Sequence, residues 1–218
     1  MIQAPSVPNL PLPHDDYSKL YLNQLTNVLR LYFNQLNDTV SQLTQYGTGT
    51  GGSGISFPYG SFSCNADINA TAANTITAVT LNTTDFSNGT SLASNVVTAD
   101  VAGLYNLQFS LQLVNTDNAA HSALVWLRKN GSDITGTNSK FDVPARKSAL
   151  IHSYVIGACN FYVSMNAGDT VGLVWAADAV ENGVTAGIYL EAYAAQTSPY
   201  VAPAIPSSVV TLTFVSAL

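Results

Sequence analysis

The chain has 218 residues, of which 47% are hydrophobic and only 9% charged, with a formal net charge of -6 and a pI of about 4.6. That length and apolar fraction fill one or two packed domains, which excludes a disordered tail. Lysine and arginine are too sparse to form a basic stripe along any element, which excludes phosphate-driven binding of nucleic acid.

In the first 13 residues Pro5, Pro8, Pro11 and Pro13 block helix and favour an extended, polyproline-like course. Residues 1–14 are therefore expected to form an anchoring arm. Its apolar members Ile2, Val7, Leu10 and Leu12 suit docking along a neighbouring subunit or partner; a frayed terminus is the alternative. The arm has neither a basic flank nor an apolar run, and no stretch anywhere reaches the ~20 apolar residues that span a bilayer. Neither a signal peptide nor membrane insertion is expected.

From Asp15 the pattern changes. Asp15 or Asp16 can cap a helix start, and no Gly or Pro interrupts before Gly47, so a helix is expected over residues 15–46. Leu22, Leu25, Leu29, Tyr32, Leu36 and Leu43 follow a 3,4 spacing broken at Thr39, with Val28, Phe33 and Val40 widening the stripe. Leaving such side chains in water forfeits roughly 1.5–3 kcal/mol each. The stripe therefore predicts a coiled coil or bundle with copies of itself; packing on the chain's own β-domain is the alternative. Residues 47–56 contain Gly-Thr-Gly-Thr-Gly-Gly-Ser-Gly, a flexible linker that marks a domain boundary.

Residues 57–218 read as Val-, Ile-, Thr-, Tyr- and Phe-rich runs separated by turn chemistry, an all-β domain. Strands are expected at 60–64, 74–81, 95–99, 103–114, 122–129, 149–165, 170–176, 185–195 and 208–215, with tight turns at Asn130-Gly131 and Ala167-Gly168-Asp169. Tyr105, Leu107, Phe109, Leu111 and Leu113 alternate with Asn106, Gln108, Ser110 and Gln112, so the sheet has a core side and a wet side. The strand number suits an antiparallel jelly-roll sandwich of about eight strands.

Chemistry-bearing patterns are few. His14, His121 and His152 lack any paired metal spacing, no Gly-x-Ser-x-Gly elbow is present, and no pattern marks Cys64 or Cys159 as a nucleophile. Hence no catalytic residue, cofactor or metal is expected. The two cysteines are read as free thiols, with a bridge as the alternative. Asp178 and Glu181 share a Gly-containing loop that suits either a solvated turn or a calcium ion. Asn69, Asn82, Asn88 and Asn130 begin Asn-x-Ser/Thr triplets, which chance explains in a chain this rich in Asn and Thr. Trp126, Trp175, Tyr154, Tyr189 and Tyr193 are read as core, or as a sugar-stacking cluster if they face outward.

The run Ala102-Gly103-Leu104-Tyr105-Asn106-Leu107-Gln108-Phe109-Ser110 resembles a strand motif of complement C1q-like and tumour-necrosis-factor-like domains. Trp126-Leu127-Arg128-Lys129-Asn130-Gly131 follows in the same order, then Asn166-Ala167-Gly168-Asp169-Thr170-Val171-Gly172-Leu173-Val174-Trp175 and the terminal strand after Pro203 and Pro206. The resemblance implies a ten-stranded jelly roll that assembles as a homotrimer for display or binding. No Gly-X-Y stalk precedes the domain, and its last strand lacks the aromatic-rich ending of animal complement proteins. Leu10-Pro11-Leu12-Pro13, Tyr17, Tyr21, Asn23-Gln24 and Val28-Leu29-Arg30-Leu31-Tyr32-Phe33-Asn34-Gln35-Leu36 look like the N-terminal region of virion proteins from marine and cyanobacterial tailed phages.

Together these readings predict a non-enzymatic, trimeric virion structural protein, a capsid decoration or head fibre whose arm grips capsid or tail proteins. The alternative is a receptor-binding tip whose loops at 115–121 and 177–183 recognise host surface glycans. A glycan depolymerase would need a carboxylate pair about 5 to 9.5 Å apart in a cleft, and no spacing here predicts one.

Overall fold

The computed structural model describes residues 8–11, 19–45 and 57–218, and the chain divides into two units, Met1–Phe57 and Pro58–Leu218. In the first unit, α1 (Lys19–Gln45) is 27 residues long, about 40 Å at 1.5 Å per residue. Thr26 and Thr39 donate back to the Leu22 and Gln35 carbonyls at 2.7 and 2.9 Å, so their hydroxyls are satisfied within the helix. No α1 side chain among the described residues is buried. The expected capping residues Asp15 and Asp16 lie outside the described residues.

The second unit runs β1 (Tyr59–Cys64), β2 (Thr77–Ala78), β3 (Thr83–Asn88), β4 (Thr90–Ala93), β5 (Val96–Ala99), β6 (Gly103–Asn115), β7 (His121–Lys129), β8 (Ser132–Asp133), β9 (Ser139–Val143), β10 (Ser153–Met165), β11 (Thr170–Ala177), β12 (Ile188–Leu190) and β13 (Ser208–Ser216). One sheet has the order β10-β6-β13-β1-β3, with β12 beside β6; the other has β4-β5-β11-β7-β8, with β2 on β11 and β9 on β7. Every strand pair is antiparallel. Count β1, β5, β6, β7, β9, β10, β11 and β13 as first to eighth. One sheet then reads sixth, third, eighth, first, and the other second, seventh, fourth, fifth. That order is the jelly roll, with each consecutive crossing closing the sandwich.

Between the sheets Phe62, Tyr105, Leu107, Leu111, Leu113, Leu127, Leu173, Trp175, Ile188 and Leu212 are fully buried. The alternation in β6 puts its odd-numbered residues in this core. Gly103 is required where β6 starts. A Cβ there would sit 2.3 Å from the Phe214 ring and 2.8 Å from the Ser216 carbonyl oxygen.

Several elements differ from the sequence expectations. The strand expected over 74–81 pairs only at Thr77–Ala78, and the one over 185–195 only at Ile188–Leu190. In the latter segment Asp67 captures the Ala192 N–H at 2.8 Å and Tyr193 bridges to Ile205, which draws the chain off the sheet. β10 begins at Ser153 because residues 148–151 close a tight turn through a Ser148–Ile151 bridge. β3, β4, β8 and β9 lie outside the expected strands. Their polar sequences carry little strand propensity, and pairing with a preformed neighbour overrides it. The described residues thus form thirteen strands, where the family resemblance implies ten.

Cys64 and Cys159 are both free. They lie on β1 and β10, with β13 and β6 between them. At about 4.8 Å per strand this leaves some 14 Å, too far for a bridge.

Candidate functional site

Two surfaces of the jelly roll carry features that the fold alone does not demand. The first is the outward face of the β10-β6-β13 sheet. Register places Tyr154, Ile156, Ala158, Asn160 and Tyr162 of β10 beside Val114, Gln112, Ser110, Gln108 and Asn106 of β6. Val209, Thr211 and Thr213 of β13 continue the rows. Across these three strands no outward position is charged, although water faces many of them. Tyr154, Ile156 and Tyr162 are 53%, 64% and 65% exposed. Asn106 Oδ1 is shielded from solvent and accepts no hydrogen bond among the described residues.

At one end of this face a tyrosine cluster surrounds Glu191. The Tyr189 hydroxyl donates to Glu191 Oε1 at 2.5 Å, and the Tyr193 hydroxyl donates to that of Tyr154 at 2.8 Å. Glu191 Oε2 is buried and has no hydrogen-bond partner within geometric reach among the described residues. Burial first, and then the nearby carboxylate, push both the Tyr189 and Tyr193 hydroxyls well above the ordinary phenol range. They remain neutral donors.

The second surface is a polar cleft of about 510 Å3, next to the top of β6 and β12. The loops at 115–121 and 177–183 meet there. Thr116 Oγ1 donates to Glu181 Oε2 at 2.9 Å and accepts the Gly187 N–H at 3.1 Å. His121 Nε2 lies 2.8 Å from Asp117 Oδ2, and its Nδ1 lies 3.1 Å from Asp178 Oδ1. The His121 contact and the Asn118 N–H hold the Asp117 carboxyl below the usual carboxylate range. Asp178 also accepts the Ser122 N–H, and Glu181 Oε1 accepts the Gly183 N–H. These carboxylates are therefore occupied by loop-building bonds. Among the described residues no group of three or more His, Cys, Asp or Glu is placed to hold a metal ion.

Beneath the cleft, buried Asn115 donates to the carbonyls of Ala119 at 2.8 Å and Pro144 at 3.0 Å. The Arg146 N–H then reaches the Asp117 carbonyl at 2.8 Å. The staple fixes the loop that carries Arg146, which lines the cleft together with His152, Asp67 and Asn69. Sequence reading did not single out Arg146, Asp67 or Asn69 as partners. The available signal was Arg146 itself, a rare cation in a Pro-Ala-Arg-Lys loop, but only the fold sets it against residues far away in the chain.

The other predicted site residues are placed as follows. Leu22 on α1 is 39% exposed, while Leu25, Leu29, Tyr32 and Leu36 are half-buried along one stripe. Leu43 is in the helix, but its side chain lies outside the described residues, as do Ile2, Val7 and Leu12. Leu10 is 47% exposed. Of the aromatic candidates, Trp175 is core, and Tyr189 is buried on the outward side of the sheet. Trp126 is tied to Asp133 through Nε1 at 2.8 Å, and only Tyr154 is widely exposed. The five do not form one outward cluster.

No protein-family model matches the chain, and no curated protein sequence matches it. Among solved structures, it is similar to the globular domain of a zebrafish complement 1qA protein. The identity is 12% and the TM-score 0.41, over 75% of this chain and all of that one. The jelly-roll assignment stands on strand order and register: the chain is a mainly β protein, a two-sheet antiparallel sandwich preceded by a single helix.

Proposed function

We propose that this chain is a non-enzymatic virion structural protein of a tailed phage, a homotrimeric capsid decoration or head fibre that displays the jelly roll. The observation that carries the self-association is the uncharged outward face of β10, β6 and β13. Interface centres are depleted of charge and enriched in aromatics, and Tyr154, Ile156 and Tyr162 lie exposed there. In an acidic protein, a stretch of three strands without an outward carboxylate avoids like-charge repulsion when copies meet. The 3,4 stripe of α1, with no described side chain buried, favours the same kind of partner, a second and third copy. The likeness of the N-terminal segment to phage virion proteins supports a particle-bound role, with the proline-rich arm gripping capsid or tail proteins.

Light scattering on the full chain is expected to give three times the 23.0 kDa chain mass. Ile156→Arg combined with Tyr162→Arg is expected to yield monomers with unchanged circular dichroism. A monomeric native chain would overturn the reading. Its absence from purified particles of the phage that encodes it would overturn the virion role.

A second reading, a receptor-recognising tip, is favoured by one observation: loops distant in sequence are stapled into a preformed polar cleft.

A further inference from the structure

We infer that the cleft beside Thr116 binds a carboxylated saccharide unit, with Arg146 pairing its carboxylate and Asp67, Asn69 and His152 meeting its hydroxyls. The inference rests on the second reading, that the cleft is a binding site, and adds the chemistry of its ligand.

Arg146 carries the argument. Cations are scarce in this chain, and those on the strands are paired: Arg128 with Asp133 at 2.5 Å, Lys129 with Asp169 at 3.2 Å and Lys140 with Asp142 at 3.0 Å. Arg146 is half-buried on the cleft wall, yet its guanidinium makes no hydrogen bond or ion pair among the described residues. A guanidinium presents five donors in a planar fork that matches a carboxylate. Asp117 feels the Arg146 charge at longer range, but its carboxylate already accepts from His121 and from the Asn118 N–H. Arg146 is also held in place from below. Asn115 bonds the Pro144 carbonyl, and the Arg146 N–H bonds the Asp117 carbonyl, so the backbone that carries the guanidinium is fixed before any ligand arrives.

The rest of the wall selects the class of anion. Asp67 spends one oxygen on the Ala192 N–H, leaving the other free as an acceptor, and Asn69 adds an amide at the same rim. Carboxylate and amide acceptors suit hydroxyl donors, whereas a doubly charged phosphate would meet repulsion from Asp67 and Glu181 with a single arginine to offset it. A ligand with one negative charge and several hydroxyls satisfies both sides of the cleft. A volume of about 510 Å3 is small-ligand size.

The test is calorimetric titration of the full chain with galacturonic acid, with galactose as the same ring lacking the carboxylate, and with inorganic phosphate. Galacturonic acid is expected to bind about tenfold more tightly than galactose, the worth of one charge-assisted pair. Arg146→Gln is expected to abolish that preference while leaving thermal melting and oligomer mass unchanged; Arg146→Lys is expected to keep part of it. Equal affinity for the two sugars, or a preference that survives in Arg146→Gln, would overturn the ligand class while the cleft remained a saccharide site. Binding of phosphate alone, or of none of the three, would overturn both the inference and the second reading.

Discussion

Asp169 joins two turns with one carboxylate. Oδ1 accepts from Asn130 Nδ2 at 2.8 Å, and Oδ2 accepts the Asn166 N–H at 2.8 Å and pairs with Lys129 Nζ at 3.2 Å. Asn130 and Gly131, at φ 49 and 80°, form the mirror-image hairpin turn that strand twist demands. The Asn130 side chain first, then the Asn166 N–H, hold the Asp169 carboxyl down at about 2 from its ordinary 3.8. The folded value lies below the unfolded one, so this stabilisation is fully present above about pH 4 and is lost as pH falls towards 2. Asp169→Asn is expected to melt earlier than the native chain at pH 6, and the gap is expected to close between pH 4 and pH 2. Thermal melts at stepped pH check it. Asn115 is the second residue of this kind. Asn115→Ala would leave the Ala119 and Pro144 carbonyls unpaired, at a cost of about 1–3 kcal/mol in denaturant unfolding. The sequence marks the Asn130-Gly131 turn outright, but it gives no sign that Asn130 reaches Asp169, or that Asn115 reaches Pro144. Those bonds depend on strands meeting across long sequence separations.

Among the elements, the segment 179–188 is shaped by close backbone approach. A Cβ on Gly187 would lie 2.4 Å from the Val180 nitrogen and 2.5 Å from the Ala179 carbonyl carbon, backbone atoms that cannot swing aside. Gly187→Ala is expected to break the Val180–Ile188 bridge and the Thr116–Gly187 bonds. It should lower stability by about 1–3 kcal/mol, read by urea unfolding, and open the cleft. In α1, the proposed self-association predicts that Leu29→Ala with Leu36→Ala raises the concentration at which helicity is lost, followed by circular dichroism on dilution. The helix was plain in the sequence because its apolar period and the absence of Gly and Pro act locally. β3 and β9 were not, because Thr-Thr-Asp-Phe-Ser-Asn and Ser-Lys-Phe-Asp-Val become strands only when β1 and β7 offer a ladder.

For the whole molecule, the proposal separates two sources of association, the sheet face and the helical stripe. A fragment starting at Phe57 is expected to remain trimeric if the uncharged face of β10, β6 and β13 is sufficient. Assembly lost with residues 1–56 would assign it to the stripe. Sedimentation of the full chain and the fragment decides between them. The cleft is a property of this scale alone, since Asp67, Thr116, Arg146 and Glu181 come from four separate connections.

By itself the sequence determined the fold class, the helix and its stripe, the core side of β6 and the turns, because periodicity and turn chemistry are local properties. Only the tertiary structure decided which edge strands exist, that the two thiols stay apart, that the outward rows of β10, β6 and β13 lie together without a charge, and that Arg146 lines a cleft with residues far away in the chain. Each of those depends on which strands lie side by side, and pairing between distant segments is set by the packing of the whole sandwich.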